Sequence, residues 1–129
     1  PYRRILADQD VPFIMVTHLR YPSVTGGNAP ADLSSKIVTD LLRNKLGYAN
    51  VIITDSHQMA SITDDYTPAQ AAVAAIAAGC DMILMPEDLQ AAYDGLKAAV
   101  DAGTLTEARI DESVLRILTV KANYSLLTE

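Results

Sequence analysis

Cysteine is almost absent from the sequence, and basic residues are few. The single cysteine, Cys80, excludes an internal disulfide framework and a zinc site built from several cysteines. The sequence has 10 Lys and Arg against 16 Asp and Glu, and the resulting net charge of −6 argues against a nucleic-acid partner or an anionic membrane surface. No apolar run has the length of a membrane span. The charge balance leaves a neutral or anionic small substrate open, because it does not set the charge of one pocket.

Nucleotide-binding and metal-binding motifs are also missing. The six glycines form neither GxGxxG nor GxxxxGK, so a dinucleotide-binding or P-loop function has no support. No spacing of His, Cys and Asp resembles a metal site, and we expect no cofactor and no metal. Cys80 lies in the apolar stretch AAGCDMILM, where a buried structural thiol is expected. The opening PYRRILADQD is typical of the end of a helix that starts further upstream, and the cellular compartment stays open.

What is present is an alternation of short apolar runs and helical segments. The runs PFIMV (12–16), VIIT (51–54) and MILMP (82–86) lack polar alternation, which is typical of parallel strands buried on both faces. The order β-α-β-α-β-α-α, with strands about 30 residues apart, predicts an α/β fold with a parallel sheet. Caps and stops place the four helices after these strands from Ser34 or Ser35 to Leu46, from Thr67 to Gly79, from Asp88 to Gly103, and from Thr106 onward.

Three parallel strands are too few for a self-sufficient sheet. The first and last strands would be exposed apolar edges, and a closed eight-stranded barrel needs about 250 residues. This chain supplies roughly half of that length, so we expect part of the fold to lie upstream of it. The missing upstream barrel half, or a second copy of the chain, would cover the open edges.

Ionisable side chains follow each predicted strand, where parallel α/β proteins place their functional sites. They are, with their neighbours, Thr17, His18, Asp55, Ser56, His57, Glu87 and Asp88. Asp55 stands out because no helix begins directly behind it, although a carboxylate that braces a loop is the alternative. His18 is expected either in a pocket wall or hydrogen-bonded to a loop backbone, and His57 at the pocket rim or the surface.

The remaining candidates have ordinary structural explanations. Asp88 fits a helix N-cap and Glu87 a first-turn acid. The paired acids Asp64 and Asp65 fit solvated turn residues. The loop RYPSVTGGNAPAD (20–32) is long for a strand-to-helix connection, and it either shapes a pocket or is a plain surface excursion.

The string VIITDSHQM resembles the nucleophile signature of glycoside hydrolase family 3, where a strand ends in Thr-Asp or Ser-Asp and Met follows four residues later. The segments FIMVTH, APADLSSKIVTDLLRNKLGY, AAVAAIAAGCDMILMPEDL and RIDESVLRILTVKANY are similar to family segments in the same order. The resemblance covers nearly the whole chain. It implies that residues 1–129 are the C-terminal portion of the family's barrel domain, a TIM-like (β/α) barrel that is incomplete in this chain, with Asp55 as the nucleophile. It also implies a pocket role for Met59, and the strand-end position of His18 fits a wall near the sugar.

Within the family, ITDDYTPAQAAVAAIAAGCDMILMPED most resembles the bacterial β-N-acetylglucosaminidase (β-N-acetylhexosaminidase) branch. This implies hydrolysis of terminal N-acetylglucosaminides with retention, through a covalent glycosyl-enzyme on Asp55. Many members have a second Asp directly after the nucleophile, and this sequence has Ser56 at that position. The branch's His–Asp proton donor and its Lys-His motif lie upstream of everything present, so the fragment alone is expected to be inactive. A family 3 β-glucosidase, a non-catalytic sugar- or protein-binding module and an assembly role are the alternatives.

Overall fold

Three parallel strands form the centre of the molecule. The computed structural model describes residues 1–8 and 10–127, and within them β1 (Phe13–Val16), β2 (Val51–Ser56) and β3 (Met82–Leu84) pair in the order β1-β2-β3. The predicted parallel α/β arrangement is confirmed. β2 continues to Ser56 rather than ending at Thr54, so Asp55 lies inside the strand. β3 is shorter than predicted, because Met85 takes a φ of 45° and Pro86 has no N–H to donate.

Helical segments flank these strands, and four of them begin where the sequence predicts, after Ser35, Thr67, Asp88 and Thr106. They are α1 (Tyr2–Asp8), α2 (Pro22–Thr25), a 3₁₀ turn (Ala31–Leu33), a π-helix (Lys36–Lys45), α3 (Ala60–Thr63), α4 (Pro68–Ala78), α5 (Leu89–Asp101) and α6 (Glu107–Asn123). The predicted caps are confirmed: Thr67 forms a capping box with Gln70, and Asp88 and Thr106 accept backbone N–H groups. None of the described helices combines the length and apolarity needed to cross a bilayer.

The helix between β1 and β2 is wound more widely than the sequence pattern indicated. The N–H of Leu46 donates to the carbonyl of Leu41, five residues back, and the side chain of Ser35 makes no cap hydrogen bond. Its predicted stop is confirmed, because Gly47 has a φ of 70°. A short apolar pattern cannot distinguish this winding from an α-helix, since both turn Val38 and Leu42 towards the core.

The main core cluster lies on the helix-covered face of the sheet. Val16 and Ile52 pack there with Val38 of the π-helix, Ala75 of α4 and the buried Cys80. On the opposite face of β1, Phe13 and Met15 are 45% and 50% exposed. The predicted burial on both faces is therefore wrong for β1, an edge strand, whereas β2 buries the consecutive residues Val51 and Ile52.

A buried ion cluster closes the amino-terminal end of the sheet. The side chain of Asp81, just before β3, is fully buried and accepts hydrogen bonds from Ile52 N at 2.9 Å and Ser113 Oγ at 2.8 Å. Its carboxylate also pairs with Arg116 at 3.0 Å and with Arg43. One carboxylate thus joins the sheet, the π-helix and α6.

We expect Gly95→Ala to destabilise the protein. Gly95 of α5 faces α4 so closely that an added Cβ would lie 2.6 Å from the Cβ and 2.8 Å from the Cα of Ala69. The better helix propensity of Ala contributes about 1 kcal/mol, whereas overpacking costs about 1–3 kcal/mol, and backbone cannot move aside as a side chain can. Urea denaturation measures the loss. Gly27→Ala is the control, because a Cβ there meets nothing within 4 Å; equal midpoints for the two variants would contradict the packing argument.

Candidate active site

A cleft of about 340 Å³ lies at the carboxyl ends of β1 and β2. Its lining residues are Thr17, His18, Leu19, Asp55, Met59 and Ser61. The structure therefore brings together all three residues singled out in the sequence as site residues. The parallel register accounts for Asp55 and its neighbour Thr17, because Val16 lies opposite Thr54 and the next residue of each strand faces the same side.

Asp55 presents a half-buried carboxylate to this cleft. Its Oδ1 accepts a hydrogen bond of 2.8 Å from the N–H of the next residue, Ser56. In the described residues, 1–8 and 10–127, no Lys or Arg forms a salt bridge with it. The carboxylate is therefore oriented by its own backbone and remains available to a molecule in the cleft.

Met59 forms the apolar side of the same cleft. It is the residue before α3, its backbone is extended, and its side chain is 47% exposed. A flexible thioether beside a carboxylate gives the cleft one apolar and one charged wall. Its contact with a substrate stays a prediction.

His18 lines the cleft, but both of its ring nitrogens are turned into the protein. Nε2 lies 2.9 Å from the carbonyl oxygen of Ser56, and Nδ1 lies 3.0 Å from Oδ1 of Asp32. The side chain is 3% exposed. The ring forms part of the cleft wall, and its backbone partner is Ser56 of β2 rather than the loop residue expected as the alternative. With both nitrogens engaged, His18 has none free to protonate a leaving group.

The prediction that His57 lies at the rim or surface is wrong. His57 is 2% exposed and its Nε2 lies 3.2 Å from Oδ2 of Asp32. Its backbone N–H donates to the carbonyl of Leu84 at 3.0 Å. This bond to the end of β3 continues the sheet pairing beyond Ser56 and holds His57 inside the fold.

Asp32 is the residue of this site that sequence reasoning missed. Its side chain is fully buried between the two histidines, yet it closes a turn-rich loop and no local pattern indicates burial. The available signal was indirect. Two histidines at the ends of neighbouring strands, once buried, need polar partners.

The loop before Asp32 is fastened to the cleft rather than free on the surface. The guanidinium of Arg20 donates to the carbonyl oxygens of Asn28 at 2.9 Å and Ser61 at 3.2 Å, and to Asp65 at 2.6 Å. Asp65 is half-exposed, so the predicted turn acid also serves as an ion-pair partner. Through Arg20, the loop from β1 and the segment around α3 hold one another at the rim.

The other predicted candidates lie apart from Asp55. Asp88 caps α5, with Oδ1 accepting from Ala91 N at 2.9 Å. Glu87 borders a separate depression with Asp64 and Asp65. A larger cavity of about 500 Å³, lined by residues such as Lys45 and Tyr48, contains none of the strand-end acids.

The cleft offers one carboxylate, Asp55, and one imidazole, His18, while the thiol of Cys80 is buried. Among the described residues, no group of three or more His, Cys, Asp or Glu side chains is placed to hold a metal ion. Burial, reinforced by the charges of Asp32 and Asp81, raises the pKa of the Cys80 thiol. Cys80 is therefore the buried structural thiol that the sequence predicted.

Comparisons with known proteins identify the family. A family model described as "Glycosyl hydrolase family 3 N terminal domain" matches residues 1–120. The chain is 34% identical over 134 residues to the "Beta-N-acetylglucosaminidase/beta-glucosidase" of Cellulomonas fimi, covering 97% of this chain and 24% of that protein. It is 35% identical over 129 residues to "Beta-hexosaminidase LpqI" of Mycobacterium tuberculosis, covering 94% of this chain and 32% of that protein.

Solved structures give the same result. A glycoside hydrolase family 3 β-N-acetylglucosaminidase from Paenibacillus sp. matches with a TM-score of 0.93 at 38% identity, covering 99% of this chain and 25% of that one. The chain spans about a quarter to a third of the length of these relatives. The likeness confirms the predicted fold class, a TIM-like (β/α) barrel that is incomplete in this chain. The chain belongs to glycoside hydrolase family 3 and lies in the part described as the family's N-terminal domain.

Proposed function

We propose that the longer protein that contains residues 1–129 hydrolyses terminal β-linked N-acetylglucosaminides with retention, using Asp55 as the nucleophile. One observation carries the proposal: Asp55 faces a strand-end cleft beside His18 and Met59, with no salt-bridge partner among the described residues. The substrate class is supported by the relatives, whose names describe β-N-acetylglucosaminidases and β-hexosaminidases.

The chemistry assigned to Asp55 is a double displacement. Its carboxylate attacks the anomeric carbon while the bond to the leaving oxygen breaks and that oxygen takes a proton from a general acid. The product is a glycosyl ester on Asp55. Water, deprotonated by the same acid-base group, then attacks the anomeric carbon and releases the sugar and the free carboxylate. A charged carboxylate suits both steps because it also stabilises the oxocarbenium-like transition states.

The proton donor is assigned to residues upstream of this chain. In the cleft as described, Asp55 is already used and the nitrogens of His18 are engaged with Ser56 and Asp32. We therefore assign these 129 residues to the C-terminal portion of the barrel domain. The upstream barrel half would supply the acid and cover the exposed Phe13 and Met15.

The purified chain alone is expected not to hydrolyse p-nitrophenyl N-acetylglucosaminide, whereas the longer protein will. The measurement is p-nitrophenol release at equal molar concentration, with circular dichroism to show that the chain is folded. Turnover by the isolated chain would contradict the assignment of the donor. Sedimentation of the isolated chain shows what covers its open edge. A dimer indicates a second copy of the chain, and a monomer indicates the upstream barrel half.

A mechanism-based trap tests the proposed function directly. A 5-fluoro-N-acetylglucosaminyl fluoride should leave a stable glycosyl ester on the peptide that contains Asp55, located by mass spectrometry. Asp55→Asn should abolish the label. If the wild-type protein is neither labelled nor active, the chain is part of a non-catalytic sugar- or protein-binding module instead.

A β-glucoside is the second candidate substrate class. The Cellulomonas fimi relative is named for both activities. The ratio of kcat/KM for p-nitrophenyl N-acetylglucosaminide to that for p-nitrophenyl glucoside decides between them. A ratio below one would replace the N-acetylglucosaminide assignment while leaving the role of Asp55 intact.

A further inference from the structure

We propose that Asp32 is a positioning residue of this site: its buried carboxylate holds His18 as a doubly protonated imidazolium under the end of β2, and neutral His57 occupies its other oxygen. This inference rests on the proposed function and adds two residues to its machinery, Asp32 and His57. It also fixes a role for His18 other than proton donation.

The burial of Asp32 requires a compensating charge. The side chains of Asp32, His18 and His57 are 0%, 3% and 2% exposed. A carboxylate removed from water is costly unless it is paired and hydrogen-bonded. Within the described residues no Lys or Arg pairs with Asp32, and its salt-bridge contacts are the two imidazoles, at 3.0 Å on Oδ1 and 3.2 Å on Oδ2. We infer that one of the two rings carries this charge.

Counting donors and acceptors assigns the charge to His18. A carbonyl oxygen only accepts, so the 2.9 Å contact with Ser56 O places a proton on Nε2. Nδ1 lies 3.0 Å from Oδ1 of Asp32 without a hydrogen bond between them. We place the second proton on Nδ1, where it makes this contact an ion pair.

His57 differs from His18 in having only one engaged nitrogen. Its Nε2 meets Asp32, and its buried Nδ1 has no hydrogen-bond partner in the described part of the chain. A neutral ring with its proton on Nε2 fits that arrangement. A charged ring would place its second proton on Nδ1, away from the Asp32 oxygen that Nε2 contacts, whereas Nδ1 of His18 lies 3.0 Å from an Asp32 oxygen.

The charge on His18 bears on the nucleophile through one residue. Ser56 donates its N–H to the Asp55 carboxylate at 2.8 Å and offers its carbonyl oxygen to His18 at 2.9 Å. His18 therefore hydrogen-bonds to the same residue, Ser56, whose N–H orients Asp55. The orientation of His18 depends in turn on Asp32. His18 lines the cleft while Asp32 does not, so the positive end of the pair is the one nearer the cleft. A cation there stabilises the carboxylate that Asp55 must regain when the glycosyl ester breaks down.

Asp32→Asn removes the negative charge of residue 32 and leaves the shape of the site nearly unchanged. Asn keeps the size and shape of the Asp side chain but carries no charge, so the bond between Nε2 of His18 and the carbonyl of Ser56 can survive while the ion pair is lost. In the longer protein we expect kcat to fall about 10- to 100-fold, by analogy with the loss when the hydrogen-bonding partner of a metal ligand is removed, with KM changed by less than about twofold. Asp81→Asn is the matched control, because the side chain of Asp81 is also fully buried but lies at the other end of the strands. It should leave kcat per folded molecule unchanged at a temperature where all variants are folded.

The spectroscopic test is ¹⁵N NMR of histidine-labelled protein, with His18→Gln and His57→Gln used to assign the two rings. The wild type should show His18 with both ring nitrogens protonated near neutral pH, and Asp32→Asn should lose that signal. If Asp32→Asn does not fold, His18→Gln replaces it in the kinetic assay. Gln keeps an N–H for Ser56 but cannot carry the charge, so the same fall in kcat is expected.

The outcomes separate this inference from the proposed function. Unchanged kcat in Asp32→Asn, or a His18 ring with one proton in the wild type, overturns the role of Asp32. An inactive wild-type protein overturns the proposed function instead, and the ring spectrum then decides the charge assignment alone.

Discussion

Asp55→Asn in the longer protein is expected to lower kcat for p-nitrophenyl N-acetylglucosaminide by at least about 1,000-fold, because the amide cannot form the glycosyl ester. The fold should be unaffected, since Asn keeps the side-chain acceptor that receives the N–H of Ser56. Steady-state kinetics measure the loss, and thermal unfolding shows that the variant is folded.

Two comparisons make the Asp55 result specific. Asp64→Asn removes an exposed acid outside the Asp55 cleft and should leave kcat within about twofold of wild type. Asp55→Ala with added azide should yield the α-glycosyl azide, since azide enters from the side that the carboxylate occupied. A variant of Asp55 with wild-type kcat, or azide product of β configuration, would remove Asp55 from the nucleophile role.

Asp81→Asn is expected to lower the free energy of unfolding by about 3–5 kcal/mol, the cost of removing one partner from a buried ion pair. The variant leaves Arg43 and Arg116 close together without their shared carboxylate. Burial already lowers the pKa of Arg43, and the charge of Asp81 acts in the opposite direction. Losing that charge leaves a buried cation uncompensated. Urea denaturation of the wild type and the variant gives the difference.

The exposed pair between Lys97 and Asp101 is the control for Asp81. Both side chains are more than half exposed, so Asp101→Asn should leave the urea midpoint unchanged. Ser113→Ala, which removes one hydrogen bond to Asp81, should cost about 1 kcal/mol. A loss below about 1 kcal/mol for Asp81→Asn would mean that the ion cluster does not hold the end of the sheet together.

Much of the fold and the place of the site followed from local patterns. Apolar runs without alternation predicted the three parallel strands, and the caps at Thr67, Asp88 and Thr106 predicted where helices begin. The strand-end rule placed His18 and Asp55 on one edge, and the structure puts them in one cleft. These inferences worked because each depends on residues that are neighbours in the sequence or on the geometry shared by all parallel sheets.

The partners of the buried polar groups were decided only by the tertiary structure. Asp32 and His57 are 25 positions apart in the sequence. Asp81 and Ile52, whose N–H donates to the Asp81 carboxylate, are 29 positions apart. The local sequence around a loop aspartate does not show whether its side chain is solvated, as that of Asp64 is, or fully buried, as that of Asp32 is. Burial depends on which elements the chain brings together, and the cost of burying a charge then selects its partners. The sequence by itself thus determined the strands, the caps and the candidate nucleophile, and the packing determined what surrounds and orients that nucleophile.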